Sequence, residues 1–190
     1  RSIRAGGANV LNNFMKKTVI GLVGEVASGK DVTKKYLEDN YGASCHRFST
    51  ILRDVLGRLY LPIVRGNLQN LSTLLRQNFG EDLFAKIVAE DVKNDPHEII
   101  VVDGIRREAD MIYLKALPGF VLLSIEVEAK TRYERLINRQ ENADDSSKTY
   151  EQFLADGQKE TELDIAKVMA TADYKLDNNG NLENLYNQIE

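Results

Sequence analysis

Apolar positions along the chain alternate between short continuous runs and stripes of helical spacing. TVIGLV (18–23), EIIVVDG (98–104) and FVLLSIEV (120–127) are apolar runs of strand length. ASCHRF (43–48) and ADYKLDN (172–178) are weaker runs of the same kind. Between them lie helical patterns. Val32, Tyr36 and Leu37 mark a helix over 31–41, and Ile51, Leu52, Val55, Leu56, Leu59 and Tyr60 mark a second, which Pro62 ends. Leu68, Leu71, Leu74 and Leu75 form a third stripe, and Leu83, Phe84, Ile87 and Val88 a fourth. Helices are also predicted over 106–117, 131–139, most of 150–170 and 182–189, with a polar loop at 140–148. Five strands with helices between them predict an α/β fold: a parallel sheet with right-handed crossovers and helices on both faces. Ligands of such sheets bind at the carboxyl ends of the strands.

The chain has 190 residues, the size of one domain. Hydrophobic residues make up 43% and charged residues 28%, the balance of a folded globular protein. With 25 Lys and Arg against 29 Asp and Glu, the net charge is -4, so no bulk attraction to nucleic acid or an anionic membrane is expected. No run approaches a membrane span. One cysteine, Cys45, excludes an intrachain disulfide and a cysteine zinc cage, and two histidines make a histidine metal site improbable. The expected setting is cytoplasmic and reducing, with the protein a monomer or homodimer. Met15 followed by two lysines has the form of a natural start. Residues 1–14 are therefore read either as upstream or expression-derived sequence or as an N-terminal extension, and 15–190 as the domain.

The specific motif is Gly24-Glu25-Val26-Ala27-Ser28-Gly29-Lys30-Asp31. It fits the phosphate-loop pattern G-x-x-x-x-G-K and departs at the last position, where Ser or Thr is usual. It follows a predicted strand and opens a predicted helix. Glycines let successive N–H groups turn toward one anion, and the helix start adds its positive dipole end. Lys30 can bridge β- and γ-phosphates. Residues 24–32, Gly24 to Val32, are thus the candidate ATP-binding stretch. Asp31 is a hard oxygen ligand for Mg²⁺. As a bland alternative, it complements the helix dipole.

Phosphoryl transfer also needs Mg²⁺, alignment and positive charge around the moving group. Asp103 ends the strongest strand, where a second acid near Mg²⁺ belongs; its alternative is a turn-forming Asp before Gly104. Arg106 and Arg107 follow at the mouth of the sheet. Ser49, Arg53 and Arg76 lie between strands 2 and 3, where a phosphorylated acceptor would dock. Arg132, Arg135 and Arg139 share one helix face leading into the polar loop, as a closing lid requires. Any of these arginines could instead be a solvated surface charge.

GLVGEVASGKD, FSTILR, VVDGIRR and TRYERLINR, in that order, resemble the nucleoside monophosphate kinase branch of P-loop kinases. Asp103-Gly104-Ile105-Arg106-Arg107 matches the Asp-Gly-x-x-Arg element of adenylate kinase relatives, with Arg107 at that spacing. The chain also resembles an archaeal-type group of P-loop kinases related to dephospho-CoA kinase. That group carries Asp-Gly-Ile-Arg (here 103–106), Thr-Arg-x-x-Arg-Leu-x-x-Arg (131–139) and a late Ala-Asp-Tyr…Asn strand (172–178). The resemblance runs from about Lys17 to Ile189. It implies a three-layer P-loop fold of sheet order 2-3-1-4-5, an acceptor-binding insert (about 46–95) and a lid (about 139–160). Two positions depart from the group: Asp31 replaces Ser or Thr. The lid element Arg-Asp-x-Arg-Glu reads Asp156-Gly157-Gln158-Lys159-Glu160 here.

Three activities follow as expectations. The first is ATP- and Mg²⁺-dependent phosphorylation of a nucleoside or deoxynucleoside monophosphate, whose acceptor is already anionic and needs no general base. The second is dephospho-CoA kinase, whose hydroxyl acceptor benefits from a carboxylate base. The Asp-x-Asp usual there after strand 2 is absent, leaving Asp103 as a substitute. The third is a nucleotide-binding switch or hydrolase without an acceptor.

Overall fold

The computed structural model describes residues 17–139, 148–157 and 160–190. Its order is β1 (Thr18–Val23), α1 (Lys30–Tyr41), β2 (Ser44–Arg47), α2 (Phe48–Arg58), α3 (Arg65–Phe79), α4 (Leu83–Asn94), β3 (Ile99–Asp103), β4 (Phe120–Glu126), α5 (Ala129–Arg139), α6 (Tyr150–Asp156), α7 (Glu160–Ala170), β5 (Tyr174–Asp177) and α8 (Leu182–Ile189). The strands form one sheet of order β2-β3-β1-β4-β5, every pair parallel. This is the α/β, P-loop order that the resemblance implied. The readings of 1–14 and of the loop at 140–147 lie outside the described residues.

The three central strands are apolar on both faces because both are covered. On one face Val19, Val23, Ile100, Val102 and Leu122 pack against Val88, Ala89 and Val92 of α4 and Ile165 and Val168 of α7. On the other, Leu22 and Val101 meet Leu37 of α1, while Ile125 and Leu176 meet Leu185 of α8. Each fully buried side chain of this size contributes about 1.5–3 kcal/mol. α3 differs: Leu74 and Phe79 are exposed, and none of its described side chains is fully buried. It lies over α2 and α4 as an appendage rather than a core element.

One expectation needs correction. Residues 106–117 do not form a helix; a single 3-10 turn, Glu108–Met111, is followed by irregular turns. Met111 and Leu114 are nevertheless fully buried, so the apolar positions that suggested a helix anchor a loop. Residues 150–170 are mostly helical, as expected, in two helices: α6 ends at Asp156 with Gly157 as its C-cap, and α7 opens at Glu160.

Both histidines grip one carboxylate beside β2. His46 Nε2 and His97 Nδ1 each lie 2.7 Å from an oxygen of Asp95, and the His97 N–H donates to it at 2.8 Å. Lys17 Nζ donates to the carbonyls of Val92, Lys93 and Asp95, tying the start of β1 to the end of α4. Burial opposes ionisation of Asp95. The Ser44 side chain, the His97 N–H and the two imidazoles outweigh it and hold the carboxyl well below the usual range. A carboxyl depressed in the fold binds fewer protons than in the unfolded chain, so its stabilisation is present above about pH 4 and lost as pH falls further. Asp95→Asn is expected to flatten the loss of stability in urea between about pH 5 and pH 2; a slope equal to that of the parent would show that Asp95 carries none of it.

Candidate active site

β1 delivers the chain at Val23 into residues 24–29, and Lys30 opens α1. Ala27 (φ 60°) and Gly29 (φ 105°) are left-handed, which turns neighbouring N–H groups toward a common point. Gly29 is constrained twice: a Cβ there would also lie 2.3 Å from Asn178 Nδ2. No side chain caps the start of α1, so its first N–H groups face the loop as an anion cradle. Ser28 is buried, and its N–H donates to the Glu25 carbonyl at 3.2 Å. Val26 is exposed at the loop's tip and Val32 half-buried in the first turn of α1. Lys30 Nζ donates to the carbonyls of Gly24 (2.6 Å) and Glu25 (2.9 Å), which places its charge across the loop.

The two candidate Mg²⁺ ligands converge. Asp103 ends β3, where the register pairs it with Leu22 of β1 and Arg47 of β2. It is buried, whereas the Asp31 side chain is 64% exposed. Arg47 joins them: its Nε lies 2.8 Å and its Nη2 2.6 Å from Asp103 Oδ2, and Nη2 lies 3.0 Å from Asp31 Oδ1. Burial works against the charge of Asp31, but Lys34 and Arg47 outweigh it and hold the carboxyl below its usual range. Among the described residues no three His, Cys, Asp or Glu side chains cluster as a metal cage. Two carboxylates suffice for Mg²⁺, which keeps several waters and takes its other ligands from substrate phosphates. The donor set fits. Burial pushes the thiol of Cys45, nearby on β2, up to about 11.

The α5 arginines diverge in role. Arg132 is buried; its Nη2 pairs with Glu25 of the loop at 2.9 Å, Nε donates to the Val127 carbonyl, and the guanidinium lies 5.3 Å from the Phe153 ring centroid. It therefore flanks the phosphate loop. Arg135 Nη2 instead donates to the Asn178 carbonyl at 2.8 Å. The Arg139 side chain lies outside the described residues, as do Gln158 and Lys159 of the departing lid element.

Among the candidate acceptor residues, Arg76 and Arg107 come together. Arg107 Nη2 lies 3.6 Å and Arg76 Nη2 4.0 Å from Asp110 Oδ1, and Asp110 Oδ2 accepts the N–H groups of Arg106 and Arg107. Glu81 faces both, through its carbonyl to Arg76 at 2.5 Å and its carboxylate to Arg107 at 3.5 Å. Burial, then the nearby Arg107 charge, lowers the Arg76 pKa. Arg53 and Arg106 are exposed, and Ser49 is half-buried at the start of α2.

Two residues of this region lie outside the candidate set. Arg47 ends the weak strand run and belongs to no motif. Asn178, the last residue of the late strand run, is buried, donates through Nδ2 to the Ser28 carbonyl at 2.8 Å and through its N–H to the Glu126 carbonyl at 3.0 Å. It thus ties the loop to β4, and through Arg135 to α5.

No protein-family model matches the chain. Whole-chain relatives do. It is 31% identical over 166 residues to a UPF0200 protein of Methanoregula boonei, covering 87% of this chain and 90% of the relative. The chain belongs to the UPF0200 family. A further UPF0200 protein, from Staphylothermus marinus, is 28% identical over 172 residues, covering 90% and 89% of the two chains. Among solved structures, this UPF0200 chain is similar to shikimate kinase from Bacteroides thetaiotaomicron (TM-score 0.59, 14% identity, 90% of this chain and 94% of the other). It is also similar to a gluconokinase from Sinorhizobium meliloti (TM-score 0.52, 10% identity, 90% and 88%). At these identities the likeness establishes the P-loop kinase fold alone.

Removing the Asn178 side chain leaves the Ser28 carbonyl without its donor. In this UPF0200 protein Asn178→Ala is expected to cost about 1–3 kcal/mol in urea unfolding. It should also weaken binding of a non-hydrolysable ATP analogue in calorimetry. An unchanged affinity would mean that the loop holds its shape without Asn178.

Proposed function

We propose that the protein is a P-loop phosphotransferase moving the γ-phosphoryl group of ATP to a small phosphate-bearing acceptor, a nucleoside or deoxynucleoside monophosphate. The observation that carries this reading is the meeting, at one sheet edge, of an anion cradle with Lys30, two carboxylates suited to Mg²⁺ and arginines on both sides. In the transfer the bond between the γ-phosphorus and the β-bridging oxygen breaks, and a bond from an acceptor phosphate oxygen to that phosphorus forms. The β-phosphate leaves as part of ADP.

Each group has a part. The backbone N–H groups of 24–30 hold the β-phosphate, and Lys30 exchanges its carbonyl partners for phosphate oxygens. Asp31 and Asp103 would hold Mg²⁺, which neutralises charge on the phosphates. Arg132 meets the charge that develops during transfer. Arg76 and Arg107, a pair of guanidinium forks after β3 and within the insert, bind the acceptor phosphate. Shikimate kinase and gluconokinase, the named structural neighbours, support small-molecule phosphorylation as the reaction class.

A phosphate acceptor is favoured over a hydroxyl acceptor by the state of Asp103. A hydroxyl needs a base, and Asp103 is committed here, first to Arg47 and then, with nucleotide, to Mg²⁺. β2 ends in a cation, Arg47, not in a carboxylate.

ADP release should appear with one or a few nucleoside monophosphates, and not with dephospho-CoA or without acceptor. Release only with dephospho-CoA would reassign the acceptor, and equal release in every well would make the protein a hydrolase. Lys30→Ala is expected to keep the fold by circular dichroism and lower turnover by about 10²-fold or more; near-parental turnover would remove the P-loop assignment. Arg107→Ala should raise the acceptor KM about tenfold, while the KM for ATP changes little.

A further inference from the structure

The guanidinium of Arg47 occupies the place between the two carboxylates suited to Mg²⁺. One nitrogen, Nη2, touches both, at 2.6 Å from Asp103 Oδ2 and 3.0 Å from Asp31 Oδ1, and Nε holds Asp103 from a second direction. The side chain that does this is itself 39% exposed, whereas Asp103 is 6% exposed. The buried carboxylate therefore needs a cation, and the cation it has can move.

We infer that Arg47 is a resident counter-ion that competes with a divalent cation for Asp31 and Asp103, and that it yields its place only when a polyphosphate arrives with the metal. The inference rests on the phosphotransferase reading, which supplies the metal. A nitrogen already at contact distance from both oxygens leaves no room there for an ion at metal–oxygen distance. A guanidinium and a divalent cation within a few ångströms also repel strongly at any effective protein dielectric. Free metal ion is thus disfavoured at the empty phosphate loop. With a polyphosphate bound, Arg47 gains new oxygen partners at the same edge of the sheet and gives up the carboxylates without losing its ion pairs. Arg47 is a positioning residue in this scheme: it makes metal binding conditional on nucleotide binding.

The test is an electron paramagnetic resonance titration of Mn²⁺ onto the full chain with no nucleotide present. Arg47→Gln, which keeps hydrogen-bonding capacity and removes the charge, is expected to bind Mn²⁺ at least about tenfold more tightly than the parent. Arg47→Lys, which keeps the charge, should stay within about threefold of the parent. The gain should vanish in Arg47→Gln combined with Asp103→Asn. Equal Mn²⁺ affinity in parent and Arg47→Gln overturns the inference, and so does a gain that survives loss of Asp103. If circular dichroism shows that Arg47→Gln does not fold, the parent protein decides. The Arg47 guanidinium signals in ¹⁵N NMR should stay in place when Mg²⁺ alone is added and move once Mg²⁺ and a non-hydrolysable ATP analogue are added together, as the exchange of Asp103 for phosphate oxygens requires. Signals that keep their nucleotide-free positions overturn the inference. The Mn²⁺ titration needs no turnover. Competition without phosphorylation of any acceptor would therefore count against the phosphotransferase reading alone, and turnover with Arg47-insensitive Mn²⁺ binding against this inference alone.

Discussion

In a parallel sheet all strands leave by the same edge, and the residues that end neighbouring strands are brought side by side by the hydrogen-bond register. Here that register places Asp103 between Leu22 and Arg47, one residue before β1 ends and its phosphate loop begins. The order β2-β3-β1-β4-β5 puts β1 in the middle, so groups from β2 and β3 approach the loop from one side and those from β4 and β5 from the other. Asp103 and Arg47 come from the first side. Asn178 and, through α5, Arg132 come from the second.

Charge at this edge is arranged in local pairs. Arg47 sits on Asp31 and Asp103, Arg132 on Glu25, and Arg76 and Arg107 share Asp110. Such pairing makes it affordable to keep Asp103, Asp110 and Arg132 buried. An anion that binds at this edge would exchange partners with these carboxylates rather than meet bare cations.

The helices between β2 and β3 are held in two different ways. α4 buries Phe84, Ala85, Val88, Ala89 and Val92 against the sheet and is fixed by it. α3 has only half-buried and exposed leucines and leans on α2 and α4. Arg76, near its end, is held by Ser72, the Glu81 carbonyl and the Phe84 ring. A helix anchored so weakly adjusts more cheaply than the sheet.

Element type and order were legible in the chain because burial on both faces writes continuous β-branched runs, and helices against a sheet write three-to-four spacing. The phosphate loop was legible because left-handed backbone and close approach demand glycines at fixed offsets. The misread 106–117 segment shows where this stops. Its apolar residues are buried as a pattern requires, but loop geometry, not a helix, takes them there. Arg47 carried no local signal, since a strand-end arginine is ordinary in sequence, and Asn178 entered only as the last residue of the Ala-Asp-Tyr…Asn run, with no role attached. Their roles arise from partners 56 and 150 residues away. Local composition thus determined the elements, their order and the anion cradle, all of which depend on neighbours within a few residues. Only the tertiary structure decided which cation faces which carboxylate, because ion pairing is set by proximity in space and carries no sequence period.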